Sequence, residues 1–250
     1  MKKFFVVQHS YAEFLGPIEK QLESRAIGFQ YMRPFLGGDL PSSAPQHDAL
    51  WLLGGAYPIT DTEACPWLPQ EYRLMEYFRQ LRRPLVGIGF GGLLVAKQVG
   101  GEAFEEPYFN AYWTTARKTA LGAGDPLAEA VDGREVLVMY NGRVELPSGL
   151  DPILTDHEGR WIAVRPDALS YGLLFRPEIK PGMIEDMIME DNRPLPDNIG
   201  DLLQEARQRW PAMQDTTAQI ALALVSALDL MTERHKMPVF ALNPVKPEAP

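Results

Sequence analysis

Two short segments hold the side chains and backbone groups that could do chemistry. In Phe175-Arg176-Pro177-Glu178, a guanidinium and a carboxylate stand two residues apart, directly after an apolar run. They could pair with each other, or Arg176 could offer its planar fork to a carboxylate ligand. The nearest acid in sequence is Glu178, which favours the internal pair. The second segment is Pro84–Gly101, PLVGIGFGGLLVAKQVGG. An apolar run ends in Gly89-Phe90-Gly91-Gly92, and a helix-like run follows at once. This is a strand, a tight turn and a helix, the arrangement that lifts a nucleophile onto a sharp elbow above backbone donors. Serine or cysteine is expected at the apex. Here the apex is Gly89, which has no side chain and can attack nothing.

Other candidates are weaker. Gly87-Ile88-Gly89-Phe90-Gly91-Gly92 also satisfies the G-x-G-x-x-G pattern of dinucleotide binding. It belongs to a fourth strand rather than a first, and no acidic residue ends a strand about 20 positions later. A glycine turn inherited from an elbow is the better reading. Cys65 follows the Gly54-Gly55 loop, but no neighbouring histidine activates it, and an unassisted thiol near pKa ~8.5 is mostly protonated. His9 follows the first strand and faces the carboxyl edge of the sheet, where it could touch a ligand; a hydrogen-bonded structural histidine is the simpler expectation. His47, His157 and His235 fall in polar segments and are expected to be solvated. Asp61 and Glu63 read as loop charges.

The elements that must position these residues follow from periodicity. Buried strands are predicted at Phe4–Gln8, Phe29–Arg33 and Ala49–Leu53, and a short helix at Pro17–Arg25. Gly37-Gly38-Asp39-Leu40-Pro41 reads as a turn-rich connection. Residues 67–82 carry Trp67, Leu68, Leu74, Met75, Phe78 and Leu81 at helical spacing. Arg82 and Arg83 close that helix at the end its dipole favours. Strands alternating with helices over the first 100 residues imply a parallel sheet covered on both faces. After about residue 103 the pattern changes to short strands and turns at 111–116, 135–140, 160–164 and 170–175, expected as hairpin additions. A terminal helix is predicted over Asp215–Met231. The expected fold is therefore an α/β, flavodoxin-like three-layer sandwich, with a mostly parallel central sheet and antiparallel additions in the C-terminal half. Residues 1–237 are expected to form a single domain and 238–250 a proline-rich tail.

Composition bounds the function. The 250 residues carry a formal net charge of −9, with 46% hydrophobic and 23% charged residues. That balance argues against non-specific nucleic-acid or anionic-membrane binding. No apolar run approaches the roughly 20 residues of a membrane span. The apolar run after Lys2 and Lys3 breaks at Gln8, too early for a signal peptide. The single cysteine excludes an internal disulfide and a thiolate metal cluster. A reducing cytoplasmic setting is expected, and no metal or cofactor is called for.

In order and spacing, these pieces resemble the class I glutamine amidotransferase family, over about residues 4 to 180. Asp48-Ala49-Leu50-Trp51-Leu52-Leu53-Gly54-Gly55 is similar to that family's third strand and Gly-Gly loop. Pro66-Trp67-Leu68 followed by Glu71 is similar to the start of the next helix. Pro84–Gly101 matches the elbow strand and helix. Leu146-Pro147-Ser148-Gly149 stands in the place of a Leu-Pro-x-Gly turn, and Phe175-Arg176-Pro177-Glu178 in that of a Phe-His-Pro-Glu signature. The family's chemistry uses a cysteine thiolate to attack the glutamine amide, a histidine to move its proton, and a glutamate to orient the histidine. The resemblance puts Gly89 at the cysteine position and Arg176 at the histidine position, leaving Glu178 alone of the three. His-Gln is replaced by Gly92-Leu93, and a histidine before the Leu-Pro turn by Asn141. Arginine cannot act as the base, because its guanidinium stays protonated. Without a nucleophile to hold, glycine is the least strained residue for the turn.

The resemblance further implies that the backbone donors of the Gly54-Gly55 loop and of Phe90 cradle an oxyanion, independently of side chains. Three readings follow. A non-hydrolytic binding, regulatory or complex-forming protein is preferred, with a small carboxylate or amide ligand and a synthetase or amide-acceptor partner. An amidotransferase or γ-glutamyl amide hydrolase using a non-standard mechanism is second. A nucleotide-binding module is third. A homo-oligomer is compatible with all three.

Overall fold

A computed structural model describes residues 2–37, 40–41, 45–190 and 194–231, without the side chains of 105–108. The first strand, β1 (Lys2–Val7), is buried almost throughout and runs parallel to β2 (Ile27–Met32) on one side and β3 (Ala49–Leu52) on the other. Between β1 and β2 lies helix α1 (Pro17–Glu23), which buries Ile18 and Leu22. A 3₁₀ turn over Pro34–Leu36 follows β2. Helix α2 (Leu68–Gln80) turns Leu68, Leu74, Met75 and Phe78 inward and leads to β4 (Leu85–Ile88). Gly89 then turns the chain into helix α3 (Phe90–Gln98), which is buried continuously from Phe90 to Ala96. An all-round apolar helix belongs in the interior, and α3 packs against β3, β4 and several later strands.

The C-terminal half comprises β5 (Glu102–Thr115), β6 (Arg117–Lys118), α4 (Pro126–Val131), β7 (Glu135–Glu145), β8 (Leu154–Thr155), β9 (Trp161–Asp167), β10 (Ser170–Leu173), α5 (Pro181–Met189) and α6 (Ile199–Ala227). The main sheet has the order β2-β1-β3-β4-β10-β9-β8-β6. It is parallel from β2 to β10 and antiparallel from β10 onward. This is the flavodoxin-like α/β arrangement expected from the sequence.

The structure revises several predicted elements. The strands expected at 111–116 and 135–140 fall mostly within the longer β5 and β7, which form a two-stranded ribbon outside the main sheet, linked to it by a bridge from Val138 to Phe175 just after β10. The ribbon does not extend the sheet because its inward residues Ala111, Leu137 and Met139 bury against α5 and α6 in a second core cluster. The terminal helix begins at Ile199, not Asp215, and continues through Pro211. An internal proline costs a helix ~3 kcal/mol. Burial of Leu202, Ala206 and Met213 in the same cluster offsets it. The short helices α4 and α5 are absent from the sequence reading, although each opens on a proline, after the capping Asp125 in α4. The proposed tail, Gly38, Asp39 and His235 lie outside the described residues.

Candidate functional site at the carboxyl edge of the sheet

Gly89 adopts φ 56° and ψ −114°, between the last residue of β4 and the first of α3. Only glycine takes such a conformation without strain. Its N–H donates to the Leu173 carbonyl at 2.7 Å, and its carbonyl accepts from Leu93 N at 3.1 Å. The predicted elbow is therefore present as a sharp turn. The other glycines of the segment serve close packing. A Cβ at Gly87 would lie 2.1 Å from the Gly91 carbonyl, one at Gly91 2.2 Å from the Leu52 carbonyl, and one at Gly92 2.2 Å from the Leu173 carbonyl. These contacts account for the G-x-G-x-x-G spacing without a nucleotide.

Arg176 lies against this turn. A Cβ on Gly89 would meet Arg176 Cδ at 3.0 Å, Arg176 Nε at 3.2 Å and the Met139 carbonyl at 3.2 Å. The Arg176 side chain is 1% exposed, and its Nε donates to Glu178 Oε1 at 2.6 Å. The same guanidinium donates from Nη2 to Glu13 Oε1 at 2.7 Å. Glu13 Oε2 accepts from Ser10 Oγ at 2.9 Å. The internal pair predicted between Arg176 and Glu178 is thus formed, and a second carboxylate joins it. Gly54 lies underneath: a Cβ there would fall 2.2 Å from Arg176 Nη2 and 2.3 Å from Glu13 Oε1. Gly16, at φ 52°, lets the start of α1 approach the Glu178 backbone, where a Cβ would lie 2.1 Å from the carbonyl.

Ribbon strand β7 covers the cluster. Arg176 N donates to the Leu137 carbonyl at 2.8 Å. Asn141 Nδ2 donates to the Ala56 carbonyl at 2.7 Å, tying the ribbon to the loop after β3. A cavity reaching Arg176 from the side of Trp113, Phe175 and Thr217 measures about 20 Å³, space for one water molecule.

Electrostatics follow from burial. Burial disfavours the Arg176 charge, but Glu178 and Glu13 more than offset it and hold the guanidinium above its ordinary pKa. Burial pushes the Glu178 carboxyl above the usual carboxylate range, although Arg176 opposes that shift. Its Oε2 has no hydrogen-bond partner among the described residues.

A second buried pair lies on the other side of the Gly54-Gly55 loop. His9 Nδ1 is 3.0 Å from the carbonyls of both Leu53 and Gly54, so this nitrogen carries the hydrogen and donates. Its Nε2 lies 3.0 Å from Glu71 Oε1. Burial opposes protonation of His9, but the Glu71 charge and hydrogen bond outweigh it and raise the pKa above 6.5. Acceptors at both nitrogens favour the imidazolium form, and the His9 and Phe90 ring centroids lie 4.9 Å apart in an edge-on arrangement. His9 is thus the structural histidine the sequence favoured.

Gly55 and Phe90 are also brought together, since a Cβ on Gly55 would lie 3.1 Å from Phe90 Cγ. Their N–H groups meet no acceptor among the described residues. Cys65 is 1% exposed, and burial, aided by Glu71 and Asp61, lifts its thiol to about 12. It remains protonated. His47 corrects one expectation: it is 9% exposed and packs edge-on to Phe5, because the start of β3 draws it inside. His157 lies at the surface, as expected. Asp61 accepts from Ala64 N at 2.9 Å as a loop cap. Sequence reasoning missed Glu13 and the His9–Glu71 pairing. The polar cluster Gln8-His9-Ser10 just after β1, at the ligand-bearing edge of an α/β sheet, was the available signal for Glu13.

No protein-family model matches the chain. Over 110 residues it is 31% identical to a glutamine amidotransferase-like protein, YfeJ, of Salmonella typhimurium; the match covers 43% of this chain and 46% of that protein. The chain thus spans about half the length of this curated relative. A glutamine amidotransferase structure from Methylobacillus flagellatus aligns with 91% of this chain and 96% of its own, with a TM-score of 0.76 and 21% identity. A Thermoplasma acidophilum protein assigned as a GMP synthase component aligns with 93% of this chain and 98% of its own, with a TM-score of 0.57 and 15% identity. The chain carries the glutamine amidotransferase fold over nine-tenths of its length, and 110 of its residues resemble a glutamine amidotransferase-like protein in sequence.

Proposed function

We propose that this protein uses an amidotransferase scaffold to bind rather than to hydrolyse. Its ligand is a small carboxylate or amide, and its role is regulatory or complex-forming. One observation carries this reading: the space a side chain at position 89 would enter is occupied by Arg176, locked between Glu178 and Glu13. Glutamine hydrolysis needs a nucleophile and a neutral base at that place. Glycine supplies no nucleophile, and a doubly paired guanidinium supplies no base. The adjacent N–H groups of Gly55 and Phe90 are suited to an anionic oxygen and need no side chain.

A synthetase or amide-acceptor protein is the proposed partner, in keeping with the likeness to a protein assigned as a GMP synthase component. No helix among the described residues is long and apolar enough to cross a membrane, and we place the protein in the cytoplasm. The test is ammonia release from glutamine by the purified chain, alone and with the product of an adjacent synthetase gene. The expected result is no release above the blank in either case, together with saturable glutamate or glutamine binding. Release that disappears in Glu178→Gln overturns the proposal.

A further inference from the structure

The sheet edge opposite Gly89 holds a cleft of about 410 Å³, lined by Glu76, Arg79, Arg82, Arg83, Asp167 and Ser170 among others. Arg83 and Ser170 lead into the parallel neighbours β4 and β10, so the cleft opens at the amino ends of those strands. Three guanidinium groups meet here in a chain whose net charge is −9.

The charges in the cleft are unequally committed. Asp167 accepts from Leu169 N at 2.8 Å and from Ser170 Oγ at 3.1 Å, so its carboxylate is engaged in the β9–β10 turn. Glu76 accepts from Gln80 Nε2 at 3.1 Å. Arg83 is buried and donates from Nη1 to the His47 carbonyl at 2.5 Å. Arg79 Nε is 3.8 Å from Asp167 Oδ2, beyond hydrogen-bond length. The Arg82 guanidinium has no hydrogen bond or ion pair among the described residues.

Arg82 also holds an unfavourable backbone conformation. It follows α2 at φ 51°, the left-handed position where glycine is the usual residue. An arginine there carries strain; its N–H donates to the Arg79 carbonyl at 2.9 Å, but its side chain gains no hydrogen bond or ion pair among the described residues. Ala26 and Asp229 also have positive φ, but neither lines this cleft.

We propose that this cleft binds a phosphate group, either inorganic phosphate or the phosphate of a small phosphorylated molecule, with Arg82 and Arg79 as its principal donors. Guanidinium forks match phosphate oxygens in a bidentate manner. The dianion suits two incompletely paired arginines better than a single carboxylate does. The volume falls in the range of small-molecule sites. Because the cleft lies at the far edge of the sheet, this site is separate from the one at Gly89 and does not depend on the binding role proposed there.

The test is calorimetric titration of the full chain at low ionic strength with inorganic phosphate, ribose 5-phosphate and ribose. Saturable binding of at least one phosphate-bearing compound is expected, with none for ribose. Tighter binding of ribose 5-phosphate identifies a phosphorylated small molecule as the ligand; equal or tighter binding of inorganic phosphate identifies the free ion. Arg82→Gly is expected to weaken binding at least tenfold while raising Tm by about 2–4 °C, because glycine relaxes the turn. Arg79→Gln is expected to weaken binding without raising Tm. Absence of saturable phosphate binding, or affinity unchanged in both variants, overturns the proposal.

Discussion

Arg176 Nε donates to Glu178 Oε1 at 2.6 Å, and the same side chain lies 3.0 Å from where a Cβ of Gly89 would sit. Three positions that the family resemblance treats as a catalytic set are therefore in mutual reach, but what they form is a buried ion cluster. Glu13, from the loop after β1, completes it.

The cluster makes Arg176 a stability residue. Removing one partner of a buried pair leaves uncompensated charge and costs about 3–5 kcal/mol. Arg176→Met strands both Glu13 and Glu178, and urea unfolding should show a loss of that order. Glu178→Gln keeps an acceptor for Nε and leaves Glu13 in place, so its loss should be clearly smaller. Equal losses would contradict the arrangement.

Restoring a side chain at the turn should be costly unless Arg176 gives way. Gly89→Cys places a Cβ at positive φ and against Arg176, and should cost about 1–3 kcal/mol with no ammonia release. Combining it with Arg176→His removes the steric contact but abandons both carboxylates. The two changes should therefore be non-additive, with a coupling of about 0.5–3 kcal/mol in a double-mutant cycle. Strict additivity in thermal unfolding would show that the two positions do not touch.

Stability should fall as pH rises above neutrality. His9 has a raised folded pKa, so its contribution is complete below the unfolded value of 6.5 and is lost as pH climbs through the folded value. The raised Glu178 pKa has the same sign, its contribution being lost as pH rises from the unfolded value of 4.5. Between pH 6 and 9, the Tm of the native protein should decline. His9→Gln should lower Tm overall and flatten that slope. An unchanged slope would place the imidazolium elsewhere.

Cys65 should be silent to thiol reagents in the native protein. A thiol at about 12 and 1% exposed presents almost no thiolate at pH 8. Labelling with a chromogenic disulfide should be undetectable before unfolding and should reach one equivalent in guanidinium chloride. Rapid native labelling would revive a nucleophilic role.

Much of this was legible in the chain. The alternation of apolar runs with helical stripes specified β1, β3, α2 and the β4–α3 elbow, because period and burial are local properties that a parallel sheet leaves in sequence. The glycines of the elbow announced close packing and a positive φ. The Arg176–Glu178 pair was legible because its members are two residues apart. The ribbon β5–β7 was read only as fragments, and α6 was read as half its length, since its first turns depend on contacts with Met183 and Met187 that periodicity does not record.

By itself the sequence determined the α/β fold, the absence of a side chain at the turn, and the fact that an arginine and a glutamate would stand beside it. Only the tertiary structure decided that Glu13, more than 160 residues away, shares that arginine, that Glu71 charges His9, and that β7 closes over both strand ends. The physical reason is that a buried charge must find whatever partner the fold brings within reach. The fold brings together residues from ends of strands that lie far apart in the chain and adjacent in the sheet.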